Sequence, residues 1–518
     1  MTTLQDYLEQ WSTRSPEQTY IIEAETARSI NYRQSLRAVG ALQRIFGPRP
    51  RSIAMALPGG IATALVWLAA LSGGHTLVPL APDATDSEKA ALTRRYSPDL
   101  LIVEECQHAV GFVSASAQVL TRQQLLDVIT HAEDEQYMAP SPQIAGQVCL
   151  HTSGSTGEPK GVILREPQIV WTAEQIRASH QLGTRDRGLC VLPFFHVNAP
   201  VVSLCSSLVA GSTIVIARRF SRQHFWAWIE QYQITWASIV PTIVAILLGT
   251  EKPTFLPGPL RFVRTASAPL PAVHLLAFEQ KFGIPVIETY GLSEAASQVT
   301  ANPVPPGIHK PGSVGKPTGV ELRICRPLTI GAVQNTLRDV APGAVGEICV
   351  RGPSVIKAYQ GNAGRQSFQD GWFRTGDLGY QDADGYVFIT GRLREVINRG
   401  GENIAPREIE DVLLSHPAVH EAAVVGRPDP FYGEVVVAYV VPQKDAEDDV
   451  NAARTAGVAV ATRTVSKVAL KRGLQQYAAQ RLSPPKVPVD ILIVDELPRT
   501  ASGKIARQLL REQERQRG

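Results

Sequence analysis

From about residue 52 to residue 290 the chain alternates short β-branched runs with segments of helical spacing, and few architectures accept that pattern. The strand-like runs are 52–57, 76–79, 100–103, 188–192, 212–217, 234–240, 261–265 and 284–288. Helical spacing fills several of the gaps, as in 221–231 and 270–281. Strand–helix alternation builds parallel sheets covered by helices. Several runs are apolar throughout, as strands buried on both faces must be. The fold class predicted is therefore α/β, with parallel-rich sheets in a large N-terminal domain.

The texture changes after Gly291. Gly and Pro are dense over 303–319, and strand-like runs follow at 347–350 and 386–389, which predicts a small, mostly β unit. From about Arg394 the pattern returns to α plus β. A helix is expected near Pro406, strands at 422–425 and 435–441, a helix near 465–481 and a strand at 491–494. A chain of 518 residues exceeds what one core organises. We expect a large domain over 1–393 and a small, mobile α+β domain over 394–518. The acidic stretch 445–449 has the composition of a solvated loop, and no internal repeat is present.

Composition narrows the function classes. Lys plus Arg number 51 and Asp plus Glu 48, a formal charge of +3, which argues against a dedicated nucleic-acid binder but leaves room for a local basic pocket. The six cysteines show no CxxC spacing and sit mostly in apolar runs such as Val148-Cys149-Leu150. They are expected to be buried thiols in a reducing compartment. The first residues lack the charged flank and apolar block of a signal peptide. The longest clean apolar run, 61–71, falls short of the ~20 residues a spanning helix needs. The longer stretch 201–217 is broken by Ser206, Ser207 and Gly211 and predicts a helix, a turn and a strand. No membrane span and a cytoplasmic location are expected.

Four segments carry chemistry. In His151-Thr152-Ser153-Gly154-Ser155-Thr156-Gly157-Glu158-Pro159-Lys160-Gly161, glycines let successive backbone N–H groups converge on anionic oxygen, while hydroxyls and Lys160 add donors and charge. Apolar runs on both sides predict strand–loop–strand, unlike the strand–loop–helix of a GxxxxGK[ST] loop. The alternative is a flexible Gly/Ser hairpin. In Glu288-Thr289-Tyr290-Gly291-Leu292-Ser293-Glu294, at the carboxyl end of a predicted buried strand, Glu294 offers an oxygen ligand for Mg²⁺ and Ser293 a hydroxyl for phosphate. In Gly371-Trp372-Phe373-Arg374-Thr375-Gly376-Asp377, an Asp after a tight Gly turn can accept both ribose hydroxyls, with Arg392 nearby. In Pro498-Arg499-Thr500-Ala501-Ser502-Gly503-Lys504, a lysine beside glycine can deliver one compact charge to a reacting centre. Taken alone, each also fits an ordinary loop, turn or surface lysine.

Their order resembles the AMP-forming adenylating superfamily of acyl-CoA synthetases, carrier-protein adenylation domains and luciferases. Seven segments match in family order: 152–161, 192–196, 290–294, 312–317, 371–377, 391–401 and 498–504. The resemblance implies the following roles. Residues Thr152 to Gly157 and Lys160 hold the phosphates of ATP. Ala266 to Pro269, with Ser267 and Ala268 between them, match the adenine-binding turn, Glu288 and Thr289 are cofactor-binding, and Tyr290 stacks on the base. Ser293 and Glu294 bind phosphate and Mg²⁺. Asp377 and Arg392 hold the ribose, Arg394 marks a hinge, and Lys504 bridges the acid and the α-phosphate. Swinging of the small domain then brings Gly400 and Gly401 in to shape a tunnel for the pantetheine arm of coenzyme A. The acid pocket is expected near His196, Asn198, Ser203, Thr289, Leu292 and Ala295 to Ser297. His196 either gates that pocket or is a satisfied core histidine.

A finer resemblance, over 294–307 and 397–408, is to the small-acid branch that includes oxalate–CoA ligases. That branch carries histidines where this chain has Asn198 and Ser297, and their loss implies a less charged acid. An extra segment over 445–466 and the unusual Ser483-Pro484-Pro485-Lys486 lie in the domain that meets the acceptor. The expected activity is conversion of a small-molecule carboxylic acid to acyl-AMP with release of pyrophosphate, then transfer to the thiol of coenzyme A. The alternatives are transfer to an amino acid or other amine, loading of a carrier-protein phosphopantetheine, and a non-catalytic binding scaffold. Acid identity and oligomeric state are not encoded in any motif found.

Overall fold

The computed structural model describes residues 2–109, 111–112, 117–132, 144–152, 160–254, 258–327, 336–361, 364–443, 467–499 and 505–517. Among these, two parallel-rich sheets organise the first 317 residues. One runs Gln118–Thr121, Leu100–Val103, Ser52–Ala56, Thr76–Pro79, Gln147–Thr152, Lys160–Arg165. Its pairs are parallel except the last, which is an antiparallel hairpin. The other runs Lys316–Pro317, Thr300–Ala301, Val286–Tyr290, Phe262–Thr265, Trp236–Ile239, Arg187–Cys190, Thr213–Ile216, Thr19–Glu23, Ser29–Asn31.

The helix Ile61–Ser72 explains how the two sheets meet. Every one of its residues is buried. It touches Thr19–Glu23 of one sheet and both Thr76–Pro79 and Gln147–Thr152 of the other. A helix apolar all round must be covered all round, and here sheets cover it. The apolar run that was too short for a membrane thus forms the centre of the largest core.

Glu321–Cys325, Gly346–Arg351, Trp372–Gln381, Phe368–Gln369 and Val387–Arg392 form an antiparallel sheet, the expected β unit. Beyond a single turn of 3₁₀ helix at Leu393–Glu395, a further sheet contains Ile397–Arg399, Glu402–Ile404, Val419–Asp429, Gly433–Pro442 and Asp490–Ile493. Helices Pro406–Leu414, Lys467–Ala479 and Arg507–Arg517 accompany it. Proline opens the first of these, where its missing N–H costs nothing. The largest apolar cluster contains no residue beyond 389, and two others lie wholly between 397 and 510.

Several boundaries differ from expectation for local reasons. The run 234–240 pairs only over Trp236–Ile239, and the helix expected over 221–231 starts at Phe225 after a Ser221 turn. The strands expected at 422–425 and 435–441 extend into one long hairpin, because cross-strand pairing continues past the apolar residues to Asp429 and Gly433. Residues 201–217 do form helix, turn and strand, but the helix begins as a π-helical stretch at Asn198–Cys205 and ends at Gly211 with φ +69°. Five cysteines are buried; Cys106 is exposed, contrary to the general expectation. Residues 445–466 lie outside the described residues.

Gly291 is held by close approach. A Cβ there would fall 1.3 Å from the backbone oxygen of Ser297. Gly291→Ala should therefore cost on the order of 3 kcal/mol or prevent folding, because backbone atoms and not a flexible side chain must move. Thermal melting of the purified variant checks this; a midpoint equal to that of the wild type would contradict it.

Candidate active site

The strand Val286–Tyr290 is buried along its whole length and ends at the carboxyl edge of the nine-stranded sheet, where open α/β sheets place ligands. Its last residue, Tyr290, donates from its hydroxyl to Asp377 Oδ2 at 2.6 Å. Asp377 stands on Trp372–Gln381 directly opposite Arg392, and Arg392 Nε reaches Asp377 Oδ1 at 2.9 Å. Burial, then the Asp377 charge, holds the Tyr290 phenol well above its ordinary value, so it remains a donor. Asp377 itself is buried while Arg392 is half exposed.

The turn that presents Asp377 is braced from below. Gly376 has φ +73° and donates its N–H to Glu347 Oε1 at 3.2 Å. The other oxygen of Glu347 accepts both Arg374 Nη2 at 2.6 Å and Nε at 3.0 Å. This bidentate pair is buried, and breaking such a pair typically costs ~3–5 kcal/mol. A charge inside the apolar run Gly346-Glu347-Ile348-Cys349-Val350 was the available sequence signal for it.

Glu294 sits in the turn Ser293–Ala295, with Ser293 beside it half-buried. Tyr359 donates its hydroxyl to Glu294 Oε1 at 2.7 Å, and Ile356 N–H binds the Glu294 carbonyl at 2.8 Å. Burial, then Glu294, pushes the Tyr359 phenol up. Neither Tyr359 nor Ile356 lies in a motif, and no periodicity marks them. The adjacent Gln360 donates its N–H to the Gly161 carbonyl at 2.9 Å. A Cβ on Gly161 would come within 2.6 Å of Gln360 Oε1. The glycine-rich segment therefore springs from a hairpin base, Thr152 paired with Lys160, whose second strand touches the Glu294 turn. A strand, and not a helix, follows the glycine-rich segment. Ser153, Gly154, Ser155, Thr156 and Gly157 lie outside the described residues, as does Lys504.

Ser267, Ala268 and Pro269 are exposed at the end of Phe262–Thr265. Ser267 has φ +77°, and Ala296 and Ser297 have φ +53° and +96°. Three non-glycine residues in left-handed backbone thus collect around this one sheet end, the kind of strain that clusters at working sites. Thr289 is buried and donates to the Thr265 carbonyl at 3.2 Å. Asn198, Ser203, Ala295 and Ser297 are buried, and Leu292 is half-buried. His196 is exposed, with its ring 4.4 Å from that of Phe195, so the alternative of a core histidine is set aside.

Glu288 lies apart from the Asp377 cluster in its contacts. Its carboxylate is buried, accepts Gly312 N–H at 3.1 Å and faces Arg407 of the helix Pro406–Leu414. Arg394 is exposed, and its carbonyl accepts Arg511 Nη1 at 2.5 Å while the Glu395 carbonyl accepts Nη2 at 2.9 Å. Gly400 and Gly401 have φ +59° and +90°; Gly400 N–H binds the Tyr432 carbonyl at 2.7 Å, and space is open beside Gly401.

Burial raises the Glu288 carboxyl from its ordinary 4.5 to about 7, with Arg407 opposing. The folded state then binds a proton that the unfolded chain releases between those values. Its stabilising contribution is complete below about 4.5 and is lost as pH rises through about 7. Glu288→Gln mimics the neutral form, so its melting point should gain on that of the wild type between about pH 5 and pH 8. Paired melting curves across that range test the sign, and a gap independent of pH would show that Glu288 titrates like an exposed glutamate.

These elements match known proteins along their whole length. The AMP-binding enzyme family matches residues 8–360, and the AMP-binding enzyme C-terminal domain matches 408–504. The sulfoacetate–CoA ligase of Cupriavidus necator is 34% identical over 511 residues, 95% of this chain and 94% of that protein. The oxalate–CoA ligase of Arabidopsis thaliana is 35% identical over 495 residues, covering 92% and 90%. The o-succinylbenzoate–CoA synthetase of Bacillus subtilis, solved with its acyl-adenylate intermediate, superposes with a TM-score of 0.79 at 28% identity over 98% of each chain. Among the described residues no helix is long and apolar enough to cross a membrane. The chain belongs to the AMP-binding enzyme family, and it is an AMP-forming acid–CoA ligase of the small-acid branch.

Proposed function

We propose that the Tyr290, Glu294, Asp377 and Arg392 cluster is where a short carboxylic acid is joined to AMP, and that the part of the chain beyond Arg394 turns to complete the second step. The observation that carries this reading is the convergence of three structural pieces on one side of the large core. The sheet end supplies Tyr290, the β unit supplies Asp377 and Arg392, and the glycine-rich hairpin is tied through Gln360 to the segment whose Tyr359 holds Glu294.

The chemistry follows from charge. A carboxylate must attack the α-phosphorus of ATP, and two anions repel. Asp377 has lone pairs beyond those taken by Tyr290 and Arg392, enough to accept ribose hydroxyls and fix the nucleotide. Orientation of this kind makes the attack effectively intramolecular. Backbone N–H groups of the 153–157 loop would hold the departing pyrophosphate, and Lys504 would balance charge between acid and α-phosphate.

The residues present fit Mg²⁺. Glu294 offers a hard carboxylate with Ser293 beside it, and among the described residues no group of three or more His, Cys, Asp or Glu forms a closed cage. Such a sparse donor set suits a cation that takes its remaining ligands from substrate phosphates and water. When bound, it supplies positive charge to the phosphate oxygens.

The acids named for the two ligases above, sulfoacetate and oxalate, are short, and a short acid is the class we assign here. Incubation with ATP, Mg²⁺ and a panel of acids, following pyrophosphate, tests the first step; product that forms only with added coenzyme A tests the second. Product with amino acids and no coenzyme A would instead select an amide-forming enzyme. Lys504→Ala should lose ~10²-fold or more in adenylation yet still use a supplied acyl adenylate. Normal adenylation by this variant would remove Lys504 from the mechanism. Gly401→Leu should slow thiol transfer by at least about tenfold more than adenylation, because bulk enters the open space where the arm passes. Equal damage to both half-reactions would mean that strain at φ +90°, and not a blocked passage, is responsible.

A further inference from the structure

A guanidinium with no acidic partner among the described residues lies behind the candidate acid pocket. Arg264, on Phe262–Thr265, is 1% exposed and is among the largest fully buried side chains. Its strand neighbour in register is Ser238, whose own neighbour is Cys190. Arg264 Nη1 donates to Asn198 Oδ1 at 3.3 Å, while Nε has no partner. No described carboxylate pairs with it. Burial alone draws its pKa down, to about 9.

Its surroundings add donors and no negative charge. The hydroxyl of Ser238 is buried without a partner, and that of Ser203 lies beside the Cys190 thiol without a well-aligned one. His180, buried with its ring edge-on to Phe262, is held neutral first by burial and then by Arg264 itself. Asn198 carries the arrangement outward. Its oxygen is taken by Arg264, so its Nδ2 must point away, and it donates to exposed Ser267 at 3.2 Å. A buried cation is tolerated when an anion completes it, and a planar guanidinium is most strongly completed by an oxyanion.

We propose that Arg264 is a positioning residue for substrate choice: through the Asn198 amide and the Ser267 hydroxyl it favours a short acid bearing a second oxyanion, carboxylate or sulfonate. This rests on the ligase reading above and departs from the less charged acid that the missing histidines imply. The cation that answers the second anion comes from the sheet and not from the loops.

The test uses the full-length enzyme with ATP, Mg²⁺ and coenzyme A, and compares kcat/KM for acetate and propionate with that for oxalate, malonate and sulfoacetate. The wild type should prefer the doubly charged acids by about tenfold or more, and the carboxylate and sulfonate arms identify which oxyanion is preferred. Arg264→Met should lower kcat/KM for the doubly charged acids at least about tenfold more than for the singly charged ones, mainly through KM, and Arg264→Lys should restore part of the difference. Should Arg264→Met not fold, Asn198→Asp gives an independent arm. It places a carboxylate against the guanidinium and should abolish the preference without loss of melting temperature. Equal losses on both acid classes, a wild type that prefers acetate or propionate, or a preference that survives Asn198→Asp would each overturn the role of Arg264 while leaving the ligase reading intact. Absence of pyrophosphate with every acid would overturn both.

Discussion

Asp377 is the point on which the candidate site depends. Its two oxygens accept from Tyr290, at the end of the parallel sheet, and from Arg392, on the partner strand of its own antiparallel sheet. The same side chain therefore joins two sheets, and its partner Arg392 directly precedes the junction at Leu393–Glu395. A surface ion pair is worth little, but this carboxylate is buried, so both donors are needed to compensate its charge. The need propagates downward. Gly376, next to Asp377, is held by Glu347, and Glu347 is held in turn by two N–H groups of Arg374.

Buried charges in this protein are handled in more than one way. Glu347 and Arg374 satisfy each other. Glu288 has a backbone N–H and a nearby arginine yet is pushed toward neutrality, because burial outweighs both. Arg264 has an amide oxygen and, among the described residues, nothing acidic. Structural ion pairs close on themselves, whereas groups left open at a sheet end are available to something else. Both open groups lie at or near the carboxyl ends of neighbouring strands, with Thr265 opposite Glu288 in the register.

Legibility in the sequence tracked how local each cause was. The strands 76–79 and 100–103 were placed correctly because apolar, β-branched runs bounded by turns need no partner to be recognised. The glycine-rich hairpin was legible for the same reason: its flanking runs alone told strand–loop–strand from strand–loop–helix. The π-helical opening at Asn198–Cys205 was not, since an apolar run gives no signal for which helical hydrogen bond it will adopt. Tyr359 was invisible because its meaning lies in a contact with Glu294, 65 positions away. Arg264 was visible but unused. A charge in a run expected to be buried on both faces is a contradiction that the sequence states and only the fold explains.

The junction between the large core and the residues beyond 396 bears on the turn proposed for the small domain. No apolar cluster among the described residues spans it. Polar contacts cross it. Arg511 binds the carbonyls of Arg394 and Glu395, Arg407 faces Glu288, and His274 lies near His420. An apolar seam would lose its burial with every excursion, whereas hydrogen bonds to backbone carbonyls exchange for water at little net cost. The central helix of the large core is covered by both sheets, away from this seam. The proposed turn about Arg394 therefore requires no change in either core, only exchange of partners at the few groups between them.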